Sequence, residues 1–115
     1  MTTPTAHPRP DSVRAILLAA TDLLDRPGAW TQHELARDAD GDVTGPSKDN
    51  AVSWCTIGAI MRVARTDERA DARARLAKTL ERAGHDSDIT CWNDAPERTQ
   101  TEVVAMLRRV AEEEA

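Results

Sequence analysis

A cysteine, a histidine and two side chains with hydrogen-bonding oxygens give this sequence the groups of a nucleophilic enzyme. Cys55 can supply a thiolate, His85 can act as its base, and Asn93 or Asp94 can orient the imidazole. Such Cys-His-Asn and Cys-His-Asp arrangements recur on unrelated folds. Arg62 is expected two turns along the same helix face as Cys55, where its charge favours the thiolate. A cysteine-dependent hydrolase or transferase is therefore one hypothesis.

Other features of the same residues favour an inert thiol. If Ser47 or Asp49 caps the expected helix, Cys55 lies one to two turns inside it, beyond the region where the helix dipole lowers a thiol pKa most. His85 follows a helix-ending glycine in a polar segment, which is typical of a surface histidine. Free cysteine is also among the most frequently buried residue types. The sequence therefore favours a function without covalent catalysis.

The same segments predict a pocket for a ligand or partner. Its expected lining is Cys55, Gly58, Arg62, Trp92, Asn93, Asp94 and Arg98. A structural alternative exists for two of these residues. Asn and Asp side chains commonly close turns onto nearby backbone N–H groups, and Asp94 is spaced to pair with Arg98 four residues later.

No metal site or cofactor is predicted. The alternating aspartates of residues 38–42 have the spacing of a calcium loop, but the twelfth position is Asp49 where that motif needs Glu. A solvated turn is the preferred interpretation. Cys55, Cys91 and His85 are scattered along the chain and lack an evident fourth ligand for zinc.

The most apolar stretch, residues 51–64, is expected to form the central helix. Only Ser53, Thr56 and Arg62 interrupt it. A helix that is apolar on nearly all sides is normally buried, and fourteen residues are too few to span a bilayer. Gly58 costs about 1 kcal/mol relative to Ala in a helix interior. We therefore expect it to face another backbone element closely or to floor a shallow pocket.

Three further helices are predicted from apolar periodicity and capping residues. The first follows a cap at Asp11 or Ser12 and ends near residue 25. The next runs from residue 66 to about residue 83. The last follows a capping box formed by Thr99 and Glu102 and ends near residue 113.

The remaining segments are expected to connect these helices. Residues 30–45 favour a small hairpin or extended excursion, with Val43 in its second arm, although a capping-box pattern at residues 31–34 leaves a short helix open. Residues 85–98 are expected to form a loop that Ile89 and Trp92 pin to the core. Together the predictions give a mainly α bundle of about four helices in a single domain, residues 11–115, after a flexible tail at residues 1–10.

Composition limits the classes of function. The chain has 115 residues, a net charge of −5, and neither Phe nor Tyr. The negative charge argues against nucleic-acid binding, which depends on phosphate neutralisation by Lys and Arg. The two cysteines form no C-x-x-C pair and no signal peptide is evident, which favours reduced thiols in the cytoplasm. No membrane-spanning segment is predicted.

Several segments carry a family resemblance. They are Trp30-Thr-Gln, an Ala-Asp-Gly, the Trp-Cys-x-x-Gly-Ala-Ile of residues 54–60, and the Trp-Asn-Asp-x-x-x-Arg-Thr of residues 92–99 followed by Glu102-Val103. With these the chain resembles a family of small proteins of unknown function from actinobacteria and their phages. The resemblance covers most of the chain from Trp30 onwards. It supports the fold and implies no mechanism.

The sequence thus favours a small cytoplasmic, non-enzymatic binding or accessory protein. Its partner is expected to be another protein or a small ligand, and self-association is compatible with the sequence. The cysteine-dependent enzyme based on Cys55 remains the alternative.

Overall fold

A computed structural model describes residues 12–114, so the tail expected at residues 1–10 lies outside the described residues. In chain order the elements are α1 (Val13–Leu24), β1 (Ala36–Arg37), β2 (Ser53–Trp54), α2 (Thr56–Val63), α3 (Thr66–Arg82), α4 (Ile89–Asp94) and α5 (Gln100–Glu113). The predicted mainly α architecture is confirmed. Five helices stand in the described range, rather than about four.

The first and last helices follow their local sequence signals. The Ser12 Oγ accepts a hydrogen bond from the Ala15 N–H (3.0 Å), so Ser12 is the N-cap of α1, one of the two candidates that the sequence left open. α1 packs against α5, α2 and α3. The buried face of α1 consists of Ile16, Leu17, Ala20, Thr21 and Leu24. Residues three and four apart share one side of a helix, so this spacing produces a single apolar stripe.

The start of α5 is a capping box, as predicted. The Thr99 Oγ1 accepts from the Glu102 N–H (3.2 Å), and the Glu102 Oε1 accepts from the Thr99 N–H (2.9 Å). We expect Thr99→Ala to lower the free energy of unfolding by about 1 kcal/mol, because the helix loses its N-cap. Chemical denaturation measures the change. Thr101→Ala, at an exposed position inside the same helix, is the matched control, and equal stability of the two variants would contradict the capping role.

The segment between α1 and α2 contains a two-stranded antiparallel sheet, formed by β1 and β2. Ala36 pairs with Trp54 and Arg37 with Ser53. Arg37 also makes an antiparallel bridge to Val43, across a turn in which Gly41 has a φ of +85°. The predicted hairpin with Val43 in its second arm is therefore confirmed. The sequence did not show that β2 comes from the start of the expected central helix.

The central helix is shorter than predicted. It begins at Thr56, and residues 51–54 are not helical, so Ser47 and Asp49 are not its caps. The reason is hydrogen bonding to distant segments. The Trp54 N–H donates to the Ala29 carbonyl (2.8 Å), and the Thr31 N–H donates to the Trp54 carbonyl (3.0 Å). These bonds fix Trp54 in an extended conformation, and local helix propensity is too weak a preference to oppose them.

The connection expected at residues 85–98 also differs. It contains the six-residue helix α4, whose N-cap is Asp88: the Asp88 Oδ1 accepts from the Cys91 N–H (3.0 Å). The predicted anchors are correct, since Ile89 and Trp92 are both buried. A helix this short is marginal in isolation, and its stability comes from packing. Six residues also make less than two helical turns, which is too short to show a helical periodicity.

The core surrounds α2, as expected for the central element. Ala59 and Ile60 are fully buried, and α2 contacts α1, α3 and α4. The other fully buried large apolar side chains are Ile16, Leu17, Leu24, Leu76, Leu80, Leu107, Val103 and Val110. Within residues 12–114 no helix combines the length and the apolar character needed to cross a membrane.

Candidate functional site

Cys55 lies at the junction of β2 and α2. It is the N-cap of α2, and its Sγ accepts a hydrogen bond from the Gly58 N–H (3.3 Å). The prediction that Cys55 lies one to two turns inside a helix is wrong, because the chain turns into α2 only after this residue. The side chain is nevertheless buried, and burial raises the pKa of the Cys55 thiol because it penalises the thiolate. The helix N-terminus does not overcome this penalty.

Gly58 allows the chain before β1 to lie directly against α2. A Cβ built on Gly58 would stand 1.9 Å from the Leu35 carbonyl oxygen, far inside contact distance. That carbonyl also accepts from the Cys55 N–H (3.2 Å). The expectation that Gly58 faces another backbone element is confirmed. Its lack of a side chain brings Leu35 beside Cys55.

Asn93 is the polar centre of this region and is almost fully buried. Its Oδ1 accepts from the Trp30 Nε1–H (2.8 Å), the Thr56 N–H (2.9 Å) and the Thr56 hydroxyl (2.6 Å). Its Nδ2 donates to the Thr31 carbonyl (3.2 Å) and to the Asp94 Oδ1 (2.9 Å). These bonds occupy the amide, so Asn93 joins α4, α2 and the segment before β1 and has little capacity left for a ligand.

Asp94 lies beside Asn93 and holds the segment before β1. Its Oδ1 accepts from the His33 N–H (2.9 Å), while its Oδ2 lies 3.7 Å from the His33 Nδ1. His33 has a φ of +74°, a backbone conformation that non-glycine residues seldom adopt. The predicted pairing of Asp94 with Arg98 is wrong, because Arg98 lies against Trp92 and Glu102 instead.

These groups surround a pocket of about 150 Å³, here called the Cys55 pocket. It is lined by His33, Glu34, Leu35, Cys55, Ile57, Thr90, Asn93 and Asp94. Three of the predicted site residues, Cys55, Asn93 and Asp94, therefore come together. Gly58 supports the pocket from within α2 without lining it.

His85, Trp92 and Arg98 are not in the Cys55 pocket. The ring centroids of His85 and Trp92 are 6.3 Å apart in an edge-to-face arrangement, and Arg98 stacks on the indole of Trp92. The histidine of the Cys55 pocket is His33, which is not among the site residues predicted from the sequence. Its only sequence signal is its position inside the capping-box pattern at residues 31–34, directly after the Trp30-Thr-Gln segment, and the contact with Asp94 spans about sixty residues of chain.

Arg62 also lies outside the Cys55 pocket. Its Nη1 donates to the carbonyls of Pro46 (3.2 Å) and Lys48 (2.9 Å), and its guanidinium stacks on Trp54. It therefore braces the loop before β2. The expectation that Arg62 favours a Cys55 thiolate is wrong, because its guanidinium is held at these groups and the pKa of Cys55 is raised.

The aspartates of residues 38–42 close a turn. The carboxylate oxygens of Asp38, Asp40 and Asp42 lie within 4.8 Å of one another. The Asp38 Oδ1 accepts from the N–H groups of Asp40 (2.9 Å) and Asp42 (3.0 Å), which is the geometry of an Asx turn. Cys91 is exposed on α4, whereas Cys55 is buried.

A comparison with protein-family models matches residues 8–113 to one described as a family of unknown function (DUF6197). No curated protein matches the chain. No solved structure matches it.

Proposed function

The chain belongs to this family of unknown function, and we propose that it is a small binding protein whose Cys55 pocket takes a short, apolar primary amine. The observation that carries the proposal is the Asp94 carboxylate. Its Oδ1 is held by the His33 N–H and by Asn93, while its Oδ2 has a single long contact to the His33 imidazole. The second oxygen is available to a donor from a ligand.

The composition of the lining supports a ligand that carries a cationic group. Glu34 and Asp94 are the two carboxylic acids, and the lining contains neither Lys nor Arg. A carboxylate at a partly enclosed site binds an ammonium group more strongly than a neutral donor, because the hydrogen bond is charge-assisted. His33 is the remaining titratable basic group and is mostly exposed.

The rest of the lining supports a ligand whose remaining part is small and apolar. Leu35 and Ile57 supply aliphatic surface, and the protonated Cys55 thiol behaves as a small hydrophobe. A pocket of about 150 Å³ suits a short aliphatic chain. Binding pockets of this type combine apolar walls with a few fixed polar groups that orient the ligand. In this pocket Asn93 fixes the orienting carboxylate.

We expect isobutylamine to raise the melting temperature of the protein and isobutanol, its neutral analogue, to have no effect. Asp94→Asn should abolish the shift, because the amide lacks the charge. The amide oxygen can still accept from the His33 N–H, so the variant should stay folded. Thermal-shift measurement over a range of amine concentrations tests this. Asp40→Asn, which removes a charge at an exposed turn, is the matched control. Equal shifts with amine and alcohol would overturn the proposal.

A cysteine-dependent hydrolase or transferase is the second candidate. It is favoured by one observation: Cys55 lines the same pocket as His33 and Asp94, whose side chains lie 3.7 Å apart. Against it stands the raised pKa of the buried thiol, which keeps Cys55 protonated and poorly nucleophilic at neutral pH. Binding is therefore the function that the pocket supports better.

Alkylation separates the two candidates. We expect iodoacetamide at pH 7 to modify Cys91 on the order of tenfold faster than Cys55, because Cys91 is exposed whereas modification of Cys55 needs local opening. The nearby charge of Asp88 raises the pKa of Cys91. The faster alkylation expected at Cys91 therefore comes from its exposure to solvent and not from a lowered thiol pKa. Mass spectrometry of Cys55→Ser and Cys91→Ser variants measures each thiol alone. Faster reaction at Cys55 than at Cys91 would favour the enzyme.

The cytoplasm is the location that we propose, with the two unpaired cysteines of the described residues in support. A small ligand is preferred over a protein partner because the Cys55 pocket is narrow and its orienting groups are held from inside the fold.

A further inference from the structure

A second pocket lies on the other side of α4, beside Trp92. Its volume is about 280 Å³, and it is lined by His85, Trp92, Arg98, Glu102, Ala105, Met106 and Arg109. Successive residues of a helix are about 100° apart, so Trp92 projects away from the side that Thr90 and Asp94 present to the Cys55 pocket. The two pockets therefore share no lining residue and can be tested separately.

We propose that this Trp92 pocket is a binding site for a carboxylate carried on a short aliphatic chain. The principal anchor is the Arg98 guanidinium, whose side chain is only 10% exposed. Its Nε donates to the Trp92 carbonyl (2.9 Å), and its Cζ lies 4.6 Å from the centroid of the Trp92 ring. The backbone bond and the ring contact hold the planar group in one orientation before a ligand arrives.

Arg98 keeps hydrogen-bonding capacity for a ligand. Its Nη1 lies 3.6 Å from the Glu102 Oε1, which is too far for a hydrogen bond. That oxygen is already occupied, since it accepts from the Thr99 N–H in the capping box. A guanidinium presents its donors as a planar fork that matches both oxygens of a carboxylate. A carboxylate is thus the acceptor that Arg98 fits best.

The indole N–H of Trp92 is a second polar group near Arg98 that has no partner. Trp92 is buried, and its Nε1–H has no hydrogen-bond partner among the described residues. Buried indole N–H groups usually have a partner, so an unpaired one on a residue that lines a pocket needs an explanation. The two other indoles are both paired, Trp30 with Asn93 and Trp54 with Pro46. The Trp92 Nε1 atom is itself buried, so a ligand acceptor held at Arg98 reaches its N–H only when the indole shifts on binding.

Charge and surface complete the match to an aliphatic acid. The lining holds two guanidinium groups, of Arg98 and Arg109, and the single carboxylate of Glu102, while Arg109 is paired with Glu113 (3.3 Å), which lies outside the lining. Ala105 and Met106 give an apolar wall against which a short hydrocarbon chain can pack. This acidic ligand is opposite in charge to the amine proposed for the Cys55 pocket.

Indole resonances provide a direct test. The chain contains three tryptophans, so a ¹H–¹⁵N spectrum of the whole protein carries three indole peaks, and Trp92→Phe assigns one of them. We expect 4-methylpentanoate to move the Trp92 indole peak downfield and to leave the Trp30 and Trp54 peaks in place. The neutral analogue 4-methylpentanamide should bind about tenfold more weakly or worse, because the charge-assisted pair is lost.

A variant pair tests the anchor. Arg98→Lys keeps the charge but removes the planar fork, and we expect at least about a tenfold rise in the Kd for 4-methylpentanoate. Arg108→Lys makes the same change outside this pocket and should leave the Kd unchanged. An unmoved Trp92 peak, equal Kd values for acid and amide, or a folded Arg98→Lys protein with the original Kd would each overturn the proposal. The acid–amide comparison needs no variant, so the test stands even if Arg98→Lys does not fold.

Discussion

Asn93→Ala is expected to lower the free energy of unfolding by roughly 3 kcal/mol or more, among the largest effects of any single substitution in this protein. The change removes the acceptor for the Trp30 Nε1–H and for the Thr56 N–H and hydroxyl. A buried donor that loses its partner costs about 1–3 kcal/mol, and alanine leaves several donors unpaired at once. Denaturant unfolding followed by tryptophan fluorescence measures the loss.

Asn50→Ala is the matched control for this prediction. Asn50 is exposed and accepts one hydrogen bond, from the Thr44 hydroxyl (2.8 Å). Loss of an exposed bond should change stability by about 0.5 kcal/mol or less, because water replaces the partner. If the two alanine variants unfold at the same denaturant concentration, Asn93 is not the polar centre that joins α4 to α2.

Gly58→Ala is expected to destabilise the protein by about 3 kcal/mol or more, although alanine is the better helix former by about 1 kcal/mol. The new methyl group would stand 1.9 Å from the Leu35 carbonyl oxygen. A backbone atom cannot rotate away as a side chain can, so the segment before β1 must move off α2. The Cys55 N–H would then lose its acceptor, and the Cys55 pocket would change shape. Thermal and chemical denaturation measure the effect.

Gly45→Ala separates the contact from the general cost of replacing glycine. A Cβ at Gly45 would meet the flexible side chain of Lys48 at 3.1 Å, and that side chain can swing aside. Its change in stability should stay within about 1 kcal/mol. A Gly58→Ala protein more stable than the parent would show that helix propensity dominates and that the Leu35 backbone moves aside at little cost in free energy.

Both positions explain how the candidate site is assembled. Asn93 joins α4 to the N-terminus of α2, and Gly58 lets the segment that carries His33 lie against α2. The polar groups of the Cys55 pocket are therefore held by buried contacts. Small shifts in either contact should alter the proposed amine binding at Asp94 more than they alter the helical content.

The sequence by itself determined the features that depend on local interactions. The Ser12 cap of α1, the Thr99 and Glu102 capping box of α5 and the anchoring of Trp92 were all predicted. Each reflects hydrogen bonds or apolar spacing among residues a few positions apart, where residue type is sufficient. The close backbone contact at Gly58 was also predicted, because a glycine inside an apolar helix needs such a reason.

Tertiary structure alone decided where α2 begins and which histidine lies in the pocket. Trp54 is extended because it pairs with Ala29 and Thr31, and these hydrogen bonds across more than twenty residues override local helix propensity. Once residues 51–54 are extended, Cys55 becomes a cap and Arg62 turns to the Pro46 carbonyl. His33 reaches Asp94 only because Asn93 and Gly58 bring distant segments into contact. No spacing along the chain encodes that meeting, so His85 was selected in its place.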